Sequence, residues 1–169
     1  NRPNLSLAVQ QKTNNWKAQL LEFLANRKNE SGIVYCLSQK LTEQCAEFLQ
    51  SEGFNAYPFH AGLDMQVKID TQDKFMTEDN VVVCATIAFG MGIDKADVRY
   101  VAHISLPSSM EAFYQEIGRA GRDGLEADTL LIFGLQDLFQ RKRFIDMSDA
   151  HDSFKIKEHK RLDALIAYC

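Results

Sequence analysis

The residues best suited to chemistry lie in one string, Gln115-Glu116-Ile117-Gly118-Arg119-Ala120-Gly121-Arg122-Asp123-Gly124. Gln115, Arg119 and Arg122 are four and three residues apart, so a helix running through the string puts all three on one stripe. Phe113, Ile117 and Ala120 then form an apolar side that can pack on a sheet. A guanidinium is permanently charged, and its planar fork matches phosphate oxygens. The glycines at 118, 121 and 124 let a second backbone or a ligand approach closely. An isolated arginine pair reads as a solvated helix surface. The whole string reads as a phosphate-gripping face.

The flanking chain alternates strand and helix patterns. Strands are predicted over residues 5–9, 32–37, 55–59, 80–85, 99–105 and 129–133. Helices are predicted over 16–27, 39–51, 65–77 and 108–120. Trp16, Leu20, Phe23 and Leu24 recur at helical spacing, Ser38 can cap the second helix, and Gly53 can end it. Repeated β-α-β units imply an α/β fold with a mainly parallel sheet and helices on both faces. In such sheets ligands meet the carboxyl ends of the strands. Ser38, His60 and Thr86 each follow a predicted strand and so belong at that edge, beside the backbone amides around Gly62 and Gly90. Hydroxyls and amides there can bind phosphate oxygens. Ser38 can equally be only a helix cap. His103, inside a strand, reads as structural, and Asp94 reads as a turn residue or a ligand. From Leu135 the pattern is purely helical, with a polar turn over 148–153 between two amphipathic segments.

The string from Gln115 to Gly124 resembles motif VI of superfamily 2 helicases, in the form carried by RecQ DNA helicases. Ala85-Thr86-Ile87-Ala88-Phe89-Gly90-Met91-Gly92-Ile93-Asp94-Lys95 is similar to the family's motif V, and Gly32-Ile33-Val34-Tyr35-Cys36-Leu37-Ser38 to its motif IV. Phe59-His60-Ala61-Gly62-Leu63 and the opening Arg2-Pro3-Asn4-Leu5 also match, so the resemblance runs in order along nearly the whole chain. It implies a RecA-like second motor lobe over residues 1–134. Residues 135–169 resemble the helical start of the family's zinc-binding subdomain, cut before its zinc ligands. Zinc is therefore expected in a full-length protein, and no metal in this chain.

By the same resemblance, Gly92, Asp94, Arg119 and Arg122 contact ATP. Arg119 and Arg122 act as arginine fingers, and Gln115 orients the attacking water or senses the terminal phosphate. Ser38, His60, Gly62, Thr86 and Gly90 grip single-stranded DNA. No GxxxxGK[ST] loop and no DExH-type acidic motif occurs in the sequence. ATP and Mg²⁺ are thus expected mainly on a separate first lobe, with single-stranded and duplex DNA as the other partners. An RNA helicase lobe, or a non-catalytic nucleic-acid-binding module of the same fold, remains the alternative.

Composition bounds the reading. The 169 residues are 46% hydrophobic, enough for one buried core. The net charge of −4 argues against a simple electrostatic DNA module and suits a lobe with a few backbone contacts. Arg141–Arg143 and Lys155–Arg161 are basic clusters that read as solvated faces or DNA contacts. Cys36, Cys45, Cys84 and Cys169 are scattered, read as free thiols, and suit a reducing, intracellular compartment: cytoplasm and nucleoid, or nucleus. No apolar run is long enough for a membrane span, and no leader is expected. The polar start without Met leads to the expectation of a piece of a larger protein.

Overall fold

A computed structural model describes residues 1–169 except Met91. Its elements are β1 (Leu5–Gln11), α1 (Trp16–Phe23), β2 (Gly32–Tyr35), α2 (Gln39–Ser51), β3 (Asn55–Phe59) and α3 (Met65–Thr77). They continue with β4 (Val81–Ala85), β5 (Tyr100–His103), α4 (Met110–Ile117), β6 (Ala127–Phe133), α5 (Leu135–Met147) and α6 (Asp152–Tyr168). Six strands form one sheet in the order β1-β6-β5-β2-β4-β3, and every pairing is parallel.

The two-residue period of the strands divides the core. Ile33, Tyr35, Val81, Val83, Ala85, Val101 and Leu131 face one side, against Phe75 of α3, Phe113 and Ile117 of α4, and Leu162 and Leu165 of α6. Val34, Val82, Cys84, Tyr100, Ala102, Leu130 and Ile132 face the other side, against Leu20 of α1 and Cys45, Ala46 and Leu49 of α2. Both faces of the central strands are therefore buried, which accounts for their continuous apolar runs.

Side-chain caps set the helix starts. Asn15, Ser38 and Ser109 accept the amides of Ala18, Leu41 and Ala112 at 3.2, 3.1 and 3.1 Å. Gly53, at φ 88°, ends α2 as expected. Several boundaries differ from the sequence reading. α1 stops at Phe23 rather than residue 27, because Asn26 takes a left-handed φ of 66°. β2 stops at Tyr35, since the Leu37 amide leaves the ladder and donates to Ser105 Oγ at 3.1 Å. β1 and β6 run longer than expected, because their ladder extends from Leu5↔Ala127 to Gln11↔Phe133.

Tyr100 fills the place where Gly32 lacks a side chain, and a Cβ at Gly32 would overlap the Tyr100 ring. Gly32→Ala is expected to lower stability by about 1–3 kcal/mol through overpacking. A urea midpoint equal to that of the parent would contradict this packing.

Candidate active site

The site is built from two turns that fold onto each other. α4 ends at Ile117, so Gln115 lies in its last turn and the two arginines lie beyond it. This corrects the expected single helical stripe. The chain tightens into three-residue bonds, Arg119 N to Glu116 O at 3.3 Å and Ala120 N to Ile117 O at 3.1 Å, and then reverses at Gly121, φ 60°. The turn is tied to the loop after β4: Gly121 N donates to Val98 O at 2.8 Å and Asp123 N to Ala96 O at 3.0 Å. Arg2 clamps it from outside, donating to the carbonyls of Gly118, Ala120 and Gly121 at 3.2, 2.7 and 2.9 Å. Asn4 adds bonds to Gly121 O and Leu125 O. No spacing rule links Arg2 and Asn4 to a turn more than a hundred residues away. Sequence reasoning matched Arg2-Pro3-Asn4 to the family but missed this clamping role.

The two arginines behave differently. Arg119 turns inward and donates to the Gly90 carbonyl. Gly90 has φ 116°, and a Cβ there would meet the guanidinium carbon at 2.5 Å. Arg122 stays at the surface. It donates to Asp94 Oδ1 at 2.8 Å and to Ile93 O at 3.3 Å, with side-chain exposures of 35% for Arg122 and 86% for Asp94. A pair this open is worth only about 0–1 kcal/mol, so an incoming phosphate can displace the carboxylate. Gly92, φ 80°, is exposed in the same loop, and Gln115 is exposed on α4. Gly90, Gly92, Asp94, Arg119 and Arg122 are thus brought together.

The loops after β2, β3 and β4 form a second group. Ser38 caps α2, which leaves its own O–H free to donate. Thr86 is half-buried, and its amide donates to Phe59 O at 3.2 Å. His60 is buried, with Nε2 2.9 Å from Glu43 Oε1, while its Nδ1 accepts the Gly62 amide at 3.1 Å. The Gly62 amide is therefore engaged within the loop. At Gly90 the carbonyl serves Arg119, so both glycines shape the loops around them. These residues share one edge, as expected from their places after strands.

The basic helices divide. Arg141 turns inward and donates to Leu106 O at 2.8 Å, and burial lowers its pKa. Its Nε–H is engaged within the fold, so it is not a freely solvated side chain. Lys155 donates to Asp146 O and Arg161 pairs with Glu158. Cys36, Cys45 and Cys84 are buried free thiols, and Cys169 is half-buried. Burial pushes Cys36 and Cys84 well up. His103 is buried in β5, as its strand position implied. Among the described residues no helix is long and apolar enough to cross a membrane.

The helicase conserved C-terminal domain family matches residues 16–124. The chain is 46% identical over 143 residues to the RecQ-like DNA helicase BLM of Xenopus laevis, covering 83% of this chain and 10% of that protein. It is 40% identical over its full length to the ATP-dependent DNA helicase Q1 of Pongo abelii, covering 26% of that protein. It is 38% identical over 88% of its length to the ATP-dependent DNA helicase RecQ of Bacillus subtilis, covering 25% of that protein. The chain therefore spans about a tenth to a quarter of these relatives. Among solved structures, a DEAD box protein from Methanococcus jannaschii superposes with a TM-score of 0.64 at 24% identity, covering 83% of this chain and 38% of that one. Saccharomyces cerevisiae dbp5 superposes with a TM-score of 0.70 at 21% identity, covering 96% and 47%. At these identities the structures establish the RecA-like fold alone. The chain belongs to the helicase conserved C-terminal domain family, in the form carried by RecQ-type helicases.

Proposed function

We propose that this chain is the second motor lobe of an ATP-dependent helicase that moves 3′ to 5′ on single-stranded DNA and opens duplex DNA. One observation carries the reading: Arg119 and Arg122 both fold from the motif VI turn onto the loop bearing Gly90, Gly92 and Asp94. That loop begins at Thr86, beside the loops that carry Ser38 and His60. A single segment therefore joins residues suited to the nucleotide with residues suited to the DNA backbone.

ATP and Mg²⁺ are held mainly by the protein's own first RecA-like lobe. The residues present here fit the phosphate, through guanidiniums and a glycine-rich loop. Among the described residues no group of three His, Cys, Asp or Glu side chains gathers as a cation site. When the lobes close, Arg122 exchanges Asp94 for the terminal phosphate and stabilises the charge that develops on it. Arg119 adds a second guanidinium once its side chain turns from Gly90. Gln115 orients the attacking water, and Asp94, freed from Arg122, contacts the nucleotide near Gly92. Ser38 and Thr86 donate hydroxyls to the DNA backbone beside the His60–Gly62 loop, a contact that reads no base and suits a motor on any sequence. Zinc, in the full-length protein, belongs to the subdomain whose helical start is α5 and α6, on ligands that this chain does not carry.

Arg122→Ala in the complete protein is expected to lower ATP turnover by about 10³-fold or more while single-strand affinity holds. Near-parental turnover would make Arg122 structural. Asp94→Ala should lower turnover less, because it removes a partner and keeps both guanidiniums. Equal losses in the two variants would contradict the exchange. The 169-residue chain by itself is expected to hydrolyse no ATP with or without single-stranded DNA. DNA-stimulated hydrolysis by that chain would overturn the division of labour between the lobes.

A further inference from the structure

A set of buried polar side chains lies under Arg119, and the proposed mechanism does not use it. Tyr35 ends β2, His103 ends β5, and Glu116 sits in the last turn of α4, all three buried. The His103 ring stacks on Tyr35 with centroids 5.1 Å apart and planes at 23°. Phe113 closes against the other side of His103 at 5.2 Å, edge to face. His103 Nε2 is 3.6 Å from Glu116 Oε2, beyond hydrogen-bond range.

The polar accounting of this cluster is unusual. Six buried side-chain nitrogen or oxygen atoms among the described residues lack a hydrogen-bond partner: Tyr35 Oη, Tyr100 Oη, His103 Nδ1, His103 Nε2, Glu116 Oε2 and Arg119 Nε. All but Tyr100 Oη belong to this one group. Folded interiors carry few such atoms, and each is costly. A cavity of about 10 Å³ adjoins Tyr35, His103, Glu116 and Arg141, room for about one water. Burial pushes the Tyr35 hydroxyl up, and the neighbouring Arg119 charge pulls the other way. Tyr35 therefore presents a neutral hydroxyl beside a guanidinium whose Nε–H is unused.

We propose that Tyr35 is a positioning residue for Arg119: its hydroxyl accepts the Nε–H of Arg119 as that side chain turns from Gly90 toward phosphate, while Glu116 and His103 hold the hydroxyl. This rests on the reading of Arg119 as a phosphate ligand. Its consequence is a direct line from DNA to nucleotide. Tyr35 stands on the strand that leads into Ser38, so backbone contacts at that loop bear on the arginine through one buried side chain.

The test is Tyr35→Phe in the complete helicase, which keeps the ring stack and removes only the hydroxyl. DNA-stimulated kcat for ATP is expected to fall about tenfold, the value of one hydrogen bond to a charged group. KM for ATP, single-strand affinity and the thermal midpoint should hold. Glu116→Gln should lower kcat in the same sense, and the double variant should lose no more than Tyr35→Phe alone, because the two act through one contact. Unchanged kcat and stimulation in Tyr35→Phe, or a fall in kcat that accompanies a lowered thermal midpoint, would overturn the proposal. Arg119→Ala separates the two levels. If it retains turnover, the reading of Arg119 fails; if it loses turnover and Tyr35→Phe does not, only the role of Tyr35 fails.

Discussion

The contact between the Arg119 guanidinium and the backbone at Gly90 is the constraint around which the site is arranged. It needs a glycine with positive φ and no side chain, and an arginine placed just past a helix end. Any Cβ at Gly90 would occupy the space of the guanidinium. The same contact brings the loop after β4 against the turn after α4. The bonds of Gly121 to Val98 and Asp123 to Ala96 continue that seam. Arg2 and Asn4 close it from the N-terminal side. Arg122 is held more loosely, and this difference gives the two arginines distinct parts: one anchored among unsatisfied buried groups, the other paired to an exposed carboxylate that a phosphate can replace.

Charge is handled locally. The net charge is −4. Several basic side chains are spent on the protein itself: Lys12 on Ile104 O and Asp137, Arg27 on Asp128, Arg99 on Asp123, and Arg141 on Leu106 O. The strand ends carry the hydroxyls of Ser38 and Thr86 beside loop backbone. In the proposed function such groups would suit a grip that is released at each step.

Much of the fold was legible because its signals are local. Continuous apolar runs in β2 and β4 and helical spacing in α1 and α2 follow from which faces are buried. Ser38 and Gly53 mark ends that a cap and a turn define, whereas the cap at Ser109 starts α4 at Met110 rather than at residue 108. Two of the misplaced boundaries depend on distant partners: Ser105 draws Leu37 out of the ladder, and β6 extends β1. For the site, spacing predicted the partnership of Gln115, Arg119 and Arg122 on a helix, but α4 ends before Arg119 and the chain reverses at Gly121, between the two arginines. Their proximity to Gly90 and Asp94 comes from tertiary packing. The group of Tyr35, His103 and Glu116 left no sequence signal, because it joins two strands and a helix through side chains alone.

In the proposed function one segment of this lobe answers to both nucleotide and DNA. Backbone hydrogen exchange in the complete protein measures this directly, with a non-hydrolysable ATP analogue, with single-stranded DNA, and with both. The account predicts that the analogue protects residues 90–94 and 118–122, that DNA protects 37–39, 60–62 and 86–90, and that both together protect the shared stretch at 86–94 more than either alone. Protection confined to the first lobe, with these segments exchanging at the same rate in every state, would contradict it.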